Sequence, residues 1–274
     1  MNAITTQEYD DFRTYLEDVC GIKLGDNKHY LVTSRLQRLL NENSIDTYSE
    51  LINKLTNSNR SLQRDIVDAM TTNETLWFRD KHPFEVLHND ILPELAKQRG
   101  KTIKIWSAAC SSGQEPYTLS MVAHEFAMKN PGRLSGDVRI TATDISTQIL
   151  NDARKGIYDD SSLSRGISAE RKKTYFKEVP DGWQLRDDIR KRITFSQLNL
   201  KQSFATLGKF DVIFCRNVLI YFSSDLKRDI ISRIARALNP GGHMFLGSSE
   251  SITGHSDEFE MIRSHGGVHY RLKG

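Results

Sequence analysis

The sequence predicts an α/β protein with a doubly wound, mostly parallel sheet that follows a small all-helical domain. First, apolar residues between position 1 and about position 75 recur only at helical spacing. Second, from about residue 83 onward, short apolar runs alternate with helical segments, as in parallel sheets covered on both faces. Third, residues 157–195 form a polar, charged excursion that is too long for an ordinary connection. We expect a small inserted antiparallel β subdomain there.

The composition is that of a globular protein with a main domain and a smaller companion. Of 274 residues, 38% are hydrophobic and 27% are charged. The formal net charge of +3 is too small over this length to require a nucleic-acid partner. Three cysteines, Cys20, Cys110 and Cys215, are far apart and show neither a CxxC motif nor metal-ligand spacing. We therefore expect reduced thiols and no metal.

The amino-terminal residues argue against export. Glu8, Asp10 and Asp11 stand where a signal peptide needs basic and then apolar residues, and no long apolar run follows. We expect a cytoplasmic protein without membrane insertion.

Four helices are predicted in the helical domain, for which we expect bounds of 1–75. Their apolar faces consist of Phe12, Tyr15, Leu16 and Val19; Leu31, Val32, Leu36, Leu39 and Leu40; Tyr48, Leu51, Ile52 and Leu55; and Leu62, Ile66, Val67 and Met70. Gly21 ends the first helix. A linker near residues 71–79 separates this domain from the main domain, residues 76–274.

The main domain is predicted to contain six strands and three covering helices. The strands are at residues 103–106, 138–143, 192–195, 210–215, 243–247 and 268–272, and the helices at 116–128, 146–155 and 225–238. The run Asn239-Pro240-Gly241-Gly242 is a strong helix-stop signal. Pro180-Asp181-Gly182 predicts a hairpin inside the 157–195 insertion.

The stretch at residues 103–117, IKIWSAACSSGQEPY, predicts a ligand cradle. It consists of a buried strand, a turn of small residues and a helix start, so the backbone and free helix N–H groups can approach a ligand. Only Gly113 is glycine, and Glu115 at the helix start would repel a pyrophosphate. A carboxylate there can instead accept from ribose hydroxyls or pair with a cation. The cradle therefore indicates a nucleoside ligand that is not a phosphate.

Two further sites follow strands of the predicted sheet. Asp144, in ATDIS, ends the second strand, where an acid binds ribose hydroxyls. Alternatively, Asp144 or Ser146 caps the next helix; the neighbouring cradle favours ligand binding. Arg216 ends the strand at 210–215, and its guanidinium suits a carboxylate, although a structural ion pair is the alternative. The following residues lack the Pro-Pro-aromatic element with which nucleic-acid amino-methyltransferases hold a flipped base.

The linker TTNETLWFR, residues 71–79, allows two interpretations. Asn73, Thr75 and Arg79 could line the mouth of a pocket between the helical domain and the sheet. Trp77 and Phe78 could instead simply fill the domain interface. The sequence favours neither interpretation.

Taken in order and spacing, TTNETLWFR, ACSSGQEPY, ATDIS and FCRNVLIYF resemble the chemotaxis receptor methyltransferases, the CheR family. The resemblance covers nearly the whole chain, including the helical domain and the insertion. It implies the sheet of S-adenosylmethionine-dependent methyltransferases, S-adenosyl-L-methionine as cofactor and methyl esterification of receptor glutamates in chemotaxis signalling. Many members have two acids before the proline, where this chain has Gln114-Glu115. The second acid matches the ligand position, so we expect function to be retained.

The resemblance also implies site residues. Cofactor contacts would fall on Asn73, Thr75, Arg79, Glu115, Asp144, Asn199, Leu200, Cys215 and Arg216. Arg79, Arg216 and Tyr221 would lie beside the transferable methyl group. A sulfonium methyl is already activated and a glutamate, with a pKa of about 4.3, is ionised at neutral pH, so no general base is needed. We expect the two arginines to hold carboxylates and Tyr221 to position the nucleophile or the methyl group.

A basic stripe in the helical domain suggests how a substrate docks. Residues 1–71 hold eight Lys/Arg and eleven Asp/Glu, yet residues 28–40 contain no acid. Lys28, Arg35 and Arg38 are spaced seven and three residues apart, which predicts one helical face. Such a face suits an acidic helical partner, for example the Glu-rich methylation region of a chemoreceptor. A solvated face without a partner is the alternative.

Two other functions remain open from the sequence. One is methylation of a small molecule or RNA, although the modest charge and the missing base-flipping element argue against RNA. The other is a non-catalytic S-adenosylmethionine-binding adaptor, against which Arg79, Arg216 and Tyr221 argue. We expect a monomer.

Overall fold

The structure is a computed structural model that describes residues 4–56 and 60–274. Its first four helices are α1 (Thr6–Cys20), α2 (His29–Glu42), α3 (Tyr48–Thr56) and α4 (Arg60–Met70), as predicted. Helix α1 begins with a capping box, in which Thr5 Oγ1 accepts from the Glu8 N–H and the Glu8 carboxylate accepts from the Thr5 N–H. It ends at Gly21, whose φ of 82° is left-handed. The apolar faces of the four helices share one core.

Eight more α-helices follow within the described residues 71–274. They are α5 (His82–Val86), α6 (Leu92–Leu95), α7 (Gln114–Lys129), α8 (Thr147–Lys155), α9 (Asp160–Ser164), α10 (Ala169–Tyr175), α11 (Asp187–Arg190) and α12 (Ser224–Ala237). Helices α7, α8 and α12 confirm the three predicted covering helices. The sequence did not predict α5, the π-helical turn Leu87–Ile91 or α6. Pro83 lies in the first turn of α5, where no N–H is needed. Pro93 directly follows the π-helical turn, within one continuous helical run.

The main sheet has seven strands, and all six predicted strands are present. The chain contains β1 (Ile103–Ala108), β2 (Val138–Asp144), β3 (Ile157–Tyr158), β4 (Phe176–Val179), β5 (Gly182–Leu185), β6 (Ile193–Gln197), β7 (Phe210–Cys215), β8 (Leu238–Phe245), β9 (Phe259–Ser264) and β10 (Gly267–Leu272). The order is β6-β2-β1-β7-β8-β10-β9. The first five strands are parallel, and β10 is antiparallel to both β8 and β9. The doubly wound, mostly parallel sheet is thus confirmed.

Alternate residues of the central strand β1 enter different cores. Ile103 and Ile105 pack with α7 on one face, whereas Trp106 and Ala108 pack with α12 on the other. The sequence analysis did not predict two features of the sheet. Strand β9 buries only Phe259, so it carries no apolar pattern, and β8 begins before the predicted residue 243, with a register shift against β7.

The insertion contains a small sheet of its own, with antiparallel order β3-β5-β4. Its hairpin pairs Val179 with Gly182 across the predicted Pro180-Asp181 turn. Within residues 4–56 and 60–274, no helix is both long and apolar enough to cross a bilayer.

Candidate functional site

One pocket gathers most of the predicted site residues. It lies at the carboxyl ends of β1, β2 and β7, where the chain order reverses around β1 and open α/β sheets bind ligands. Its empty volume is about 1020 Å³, including the open mouth. The walls come from residues 70–76, 109–111, 198–200 and 216–218, together with Arg79, Glu115, Asp144, Ile145, Tyr221 and Phe222, and with Cys20 and Ile22 at the end of α1.

The loop after β1 has the backbone that a cradle requires. Ala109, Ser111 and Gly113 have φ values of 54°, 50° and 93°, all in the left-handed region that small residues tolerate best. A Cβ on Gly113 would lie 3.1 Å from the Ala153 Cβ. Helix α7 begins immediately afterwards at Gln114. The predicted strand, small-residue turn and helix start are therefore confirmed.

The Asp144 carboxylate joins two loops at the rim of the pocket. One oxygen accepts from the Ser111 N–H at 2.8 Å and the other from the Ser146 N–H at 3.0 Å. Ser146, not Asp144, caps α8 by accepting from the Ile149 N–H. Burial raises the pKa of Asp144, and the two backbone donors counteract that rise. Asp144 lines the pocket, and each of its carboxylate oxygens accepts one of these two bonds and has capacity for another.

Arg216 lines the pocket and is held there by ion pairs. Its side chain is 2% exposed and donates to Glu115 Oε2 at 3.0 Å, to Asp80 Oδ2 at 2.6 Å and to the Arg79 carbonyl at 2.9 Å. Ser107 Oγ donates to the other Glu115 oxygen at 2.7 Å. Arg216 Nε is buried and has no partner among the described residues. The sequence offered a ligand-binding arginine and a structural ion pair as alternatives, and the structure combines a structural pair with a position in the pocket wall.

Arg79 lies in the same wall but is held much less tightly. Its guanidinium makes a long, 3.4 Å hydrogen bond to the Glu74 carbonyl. The linker that carries it is tied to the cradle, because Ser111 Oγ donates to the Asn73 carbonyl at 2.9 Å. Asn73 and Thr75 line the pocket. Trp77 is 2% exposed, so the linker both lines the pocket and fills an interface.

Tyr221 enters the pocket from the 3₁₀ turn Leu219–Tyr221. The chain leading into this turn is held by Glu250, which the sequence analysis missed. The Glu250 carboxylate accepts from the N–H groups of Asn217 and Ile220 at 2.7 and 3.2 Å. The Tyr221 carbonyl accepts from the Lys23 N–H at 2.8 Å. The end of α1 therefore fixes one side of this turn.

The remaining predicted cofactor residues behave differently from one another. Asn199 and Leu200 line the pocket, but the Asn199 amide also donates to the Val19 carbonyl of α1 at 2.7 Å. The Cys215 side chain is completely buried in the α12-side core and does not line the pocket. Cys110, which belongs to the predicted cradle, does line it, and so does Cys20, which no pattern in the sequence indicated.

All three thiols are free. Burial raises the pKa of Cys110 and of Cys215, and raises that of Cys20 to about 11. The thiols therefore stay protonated at neutral pH and are poor nucleophiles.

The predicted basic stripe is only partly exposed. Arg38 is 85% exposed and lies 3.6 Å from Glu42, and Lys28 is exposed immediately before α2. Arg35 instead turns inward and donates to the carbonyls of Met70 and Thr71 at 2.7 and 3.1 Å. Because the carbonyls at the end of α4 accept from its guanidinium, Arg35 has fewer donors free for a docking partner than Lys28 and Arg38.

The chemistry of the pocket fits S-adenosylmethionine. Asp144 and Glu115 contribute carboxylates to the pocket wall and Arg79 contributes a guanidinium, and these groups match the ribose hydroxyls, the ammonium group and the carboxylate of that cofactor. In the part of the chain that the structure describes, no group of three His, Cys, Asp or Glu side chains is arranged to hold a metal ion.

Comparisons with known proteins agree with this chemistry. The family described as "CheR methyltransferase, all-alpha domain" matches residues 7–71, and "CheR methyltransferase, SAM binding domain" matches residues 73–268. Chemotaxis protein methyltransferase 1 of Vibrio cholerae is 51% identical over 100% of both chains. Chemotaxis protein methyltransferase of Vibrio anguillarum is likewise 51% identical over 100% of both. Chemotaxis protein methyltransferase 1 of Pseudomonas aeruginosa is 50% identical over 97% of this chain and 98% of its own.

Proposed function

Because this chain belongs to the CheR family of S-adenosylmethionine-dependent methyltransferases, we propose that it methylates glutamate side chains of chemoreceptors. The products are glutamate methyl esters, which serve chemotactic adaptation, and S-adenosyl-L-homocysteine. The relatives, all chemotaxis methyltransferases by name, do not favour a small-molecule or RNA methyltransferase.

One observation carries the assignment of roles. Arg79 and Arg216 are both arginines of the pocket wall, but only Arg216 is ion-paired with carboxylates of this chain. Arg79 is therefore the residue with donors to spare for an incoming carboxylate. We assign Arg79 to substrate or cofactor carboxylate binding, and Arg216 to holding Glu115 and Asp80 in place.

The chemistry follows from charge and position. When bound, S-adenosylmethionine supplies an activated methyl group, so the chain needs only to orient an ionised glutamate. Arg79 serves best by binding the oxygen that does not attack, since a donor on the attacking oxygen would weaken it as a nucleophile. Tyr221, across the pocket, restricts the approach of the glutamate. Asp144, Glu115, Asn73, Thr75, Asn199 and Leu200 form the cofactor wall, with Cys215 reaching it at most through its backbone.

We further propose that the receptor docks on the exposed part of α2. Lys28 and Arg38 remain there as cations, and Tyr30 between them is 66% exposed. An acidic helix bundle would meet both charge and apolar surface on this face. The helical domain, residues 1–75, would then serve docking, and residues 76–274 catalysis. We propose a monomer that works in the cytoplasm without a nucleic-acid partner.

The test is incubation of the purified protein with membranes that contain chemoreceptors and with methyl-labelled cofactor. Label should appear in the receptor band and should be released as methanol by mild base, as a carboxyl ester requires. Receptors whose methylation-site glutamates are changed to alanine serve as the control. The proposal would be contradicted if the label entered RNA or small molecules instead, or if the label on protein were stable to mild base.

A further inference from the structure

The turn that carries Arg79 is strained. Phe78, Asp80 and Lys81 have φ values of 50°, 67° and 51°, so three residues that are not glycine lie in the left-handed region within four positions. Such a backbone persists only where the surrounding structure holds it. The contacts on both sides of residues 77–81, which we call the Arg79 turn, are therefore of functional interest.

The inserted subdomain holds one side of the turn through Arg171 of α10. The Arg171 guanidinium carbon lies 3.8 Å from the centre of the Phe78 ring, and Phe78 is 9% exposed. Arg171 is itself fixed by a two-pronged ion pair with Glu125 of α7, at 2.8 and 3.0 Å. This guanidinium, one third exposed, forms a cation–π contact with a buried ring. It ties the subdomain, α7 and the Arg79 turn together.

A second contact from the same subdomain packs its backbone tightly against the backbone of Trp77. The backbone N–H of Trp77 donates to the Arg165 carbonyl at 3.2 Å. A Cβ on Gly166 would lie only 2.1 Å from the Trp77 carbonyl oxygen, so the two backbones touch directly. The Trp77 ring contacts Tyr158 and Phe176 edge-on, with ring centres 4.8 and 5.6 Å apart.

The opposite side of the turn is held by the main domain. Arg216 donates to the Arg79 carbonyl and to Asp80, as described above. The Arg79 guanidinium itself makes only the long bond to the Glu74 carbonyl among the described residues. The direction of this side chain is therefore set by its backbone, and the backbone is set by Arg216 on one side and the inserted subdomain on the other.

We propose that Arg171 is a positioning residue, which stacks on Phe78 and so holds the Arg79 turn in the conformation that aims Arg79 into the pocket. The inserted subdomain then contributes to methyl transfer without lining the pocket. This inference rests on the proposed function, because it takes Arg79 to act on the carboxylates of the reaction.

The first test compares Arg171→Met with Lys172→Met. Lys172 is a matched control, since it follows Arg171 in α10 but lies 3.7 Å over the Trp183 ring and pairs with Asp160 at 2.7 Å, and both partners are outside the Arg79 turn. We expect R171M to lower kcat for receptor methylation about fivefold, as the loss of a partly exposed cation–π contact implies. R171K, which keeps the cation, should recover part of that loss, and K172M should keep the wild-type kcat. Circular dichroism establishes that each variant is folded.

A double-variant cycle separates positioning from general destabilisation. If Arg171 acts through Arg79, the double variant R79A/R171M has the kcat of R79A alone. The inference would be overturned if R171M lowered kcat by the same factor in the wild-type and R79A backgrounds. A wild-type kcat in R171M would also overturn it. Wild-type protein that fails to label the receptor would count against the proposed function instead. Calorimetric binding of S-adenosylhomocysteine, which needs no receptor, should be weaker in R171M than in K172M.

Discussion

The guanidinium of Arg216 lies 3.0 Å from the carboxylate of Glu115, which joins the end of β7 to the first turn of α7 across the floor of the pocket. Both side chains are withdrawn from solvent, at 2% and 13% exposure. A buried pair of this kind orders its surroundings, and the loss of one partner leaves an uncompensated charge. Several measurable consequences depend on this and on neighbouring contacts.

Replacement of Arg216 by Met should destabilise the protein as well as inactivate it. Glu115 and Asp80 would both lose their cation, so we expect the free energy of unfolding to fall by roughly 3 kcal/mol. Methylation should fall by about 100-fold, because the Arg79 carbonyl also loses its donor and the site shifts. Denaturant unfolding and receptor labelling measure the two effects. Arg228→Met, which breaks the exposed pair with Asp225, should change neither; an R216M protein with wild-type turnover would refute the assigned role.

Asp144→Asn should weaken binding of S-adenosylhomocysteine by roughly ten- to a hundredfold, the usual range for a lost hydrogen bond to a charged group. The amide nitrogen of Asn would also face a backbone N–H, of Ser111 or of Ser146, in place of an acceptor. Titration calorimetry measures the affinity. Asp137→Asn, an exposed position next to β2, provides the control. Unchanged affinity in D144N would mean that Asp144 only holds the loops of Ser111 and Ser146 together and does not bind the cofactor.

Arg38 and Arg35 should give different phenotypes although they lie on the same helix. Arg38→Glu should raise the receptor KM several-fold at low salt, with unchanged cofactor affinity, because only docking is affected. Arg35→Ala should weaken cofactor binding, because the carbonyls of Met70 and Thr71 lose their donor just before Asn73. Initial rates at two ionic strengths and calorimetry distinguish the two. The same phenotype from both variants would contradict the division of roles.

Gly21→Ala should cost more stability than Gly132→Ala, although φ is 82° at Gly21 and 77° at Gly132. Alanine at either position bears the left-handed penalty, about 1 kcal/mol. Only at Gly21 would the new Cβ also approach Leu226 Cδ2 to 2.6 Å and Phe222 to 3.3 Å, whereas space around Gly132 is open. We expect a loss of about 2 kcal/mol for G21A. Equal unfolding free energies for the two variants would show that α1 does not pack closely on α12.

Stability should fall in mild acid because of two buried histidines. Burial lowers the pKa of His243 and of His269 from 6.5 to about 4. The unfolded chain therefore binds these protons first, so the stability present above pH 6.5 is lost as the pH falls from about 6.5 to about 4. The loss is on the order of 3 kcal/mol per residue. His269→Phe, which can stack on Phe245 as His269 does, should make unfolding less sensitive to pH in this window.

Much of the site could be predicted because it follows local rules. A strand, small residues and a helix start predicted the cradle at Gly113, and the end of the next strand predicted Asp144. Periodicity could not find Cys20 or Ile22 in the pocket wall, since both belong to the apolar surface of a helical domain whose docking is a long-range event. Glu250 was missed for the same reason, as its partners lie 30 and 33 residues earlier.

The sequence by itself determined the order of helices and strands, the edge of the sheet where a ligand binds, and the residue types available there. The tertiary structure alone decided which charges meet. Arg216 finds Glu115 and Asp80 at separations of 101 and 136 residues, and Arg35 finds the end of α4 rather than solvent. Hydrophobic periodicity determines which face of an element is buried, but an ion pair depends on positions accurate to a fraction of an ångström. Those positions arise only when the packed elements fix one another.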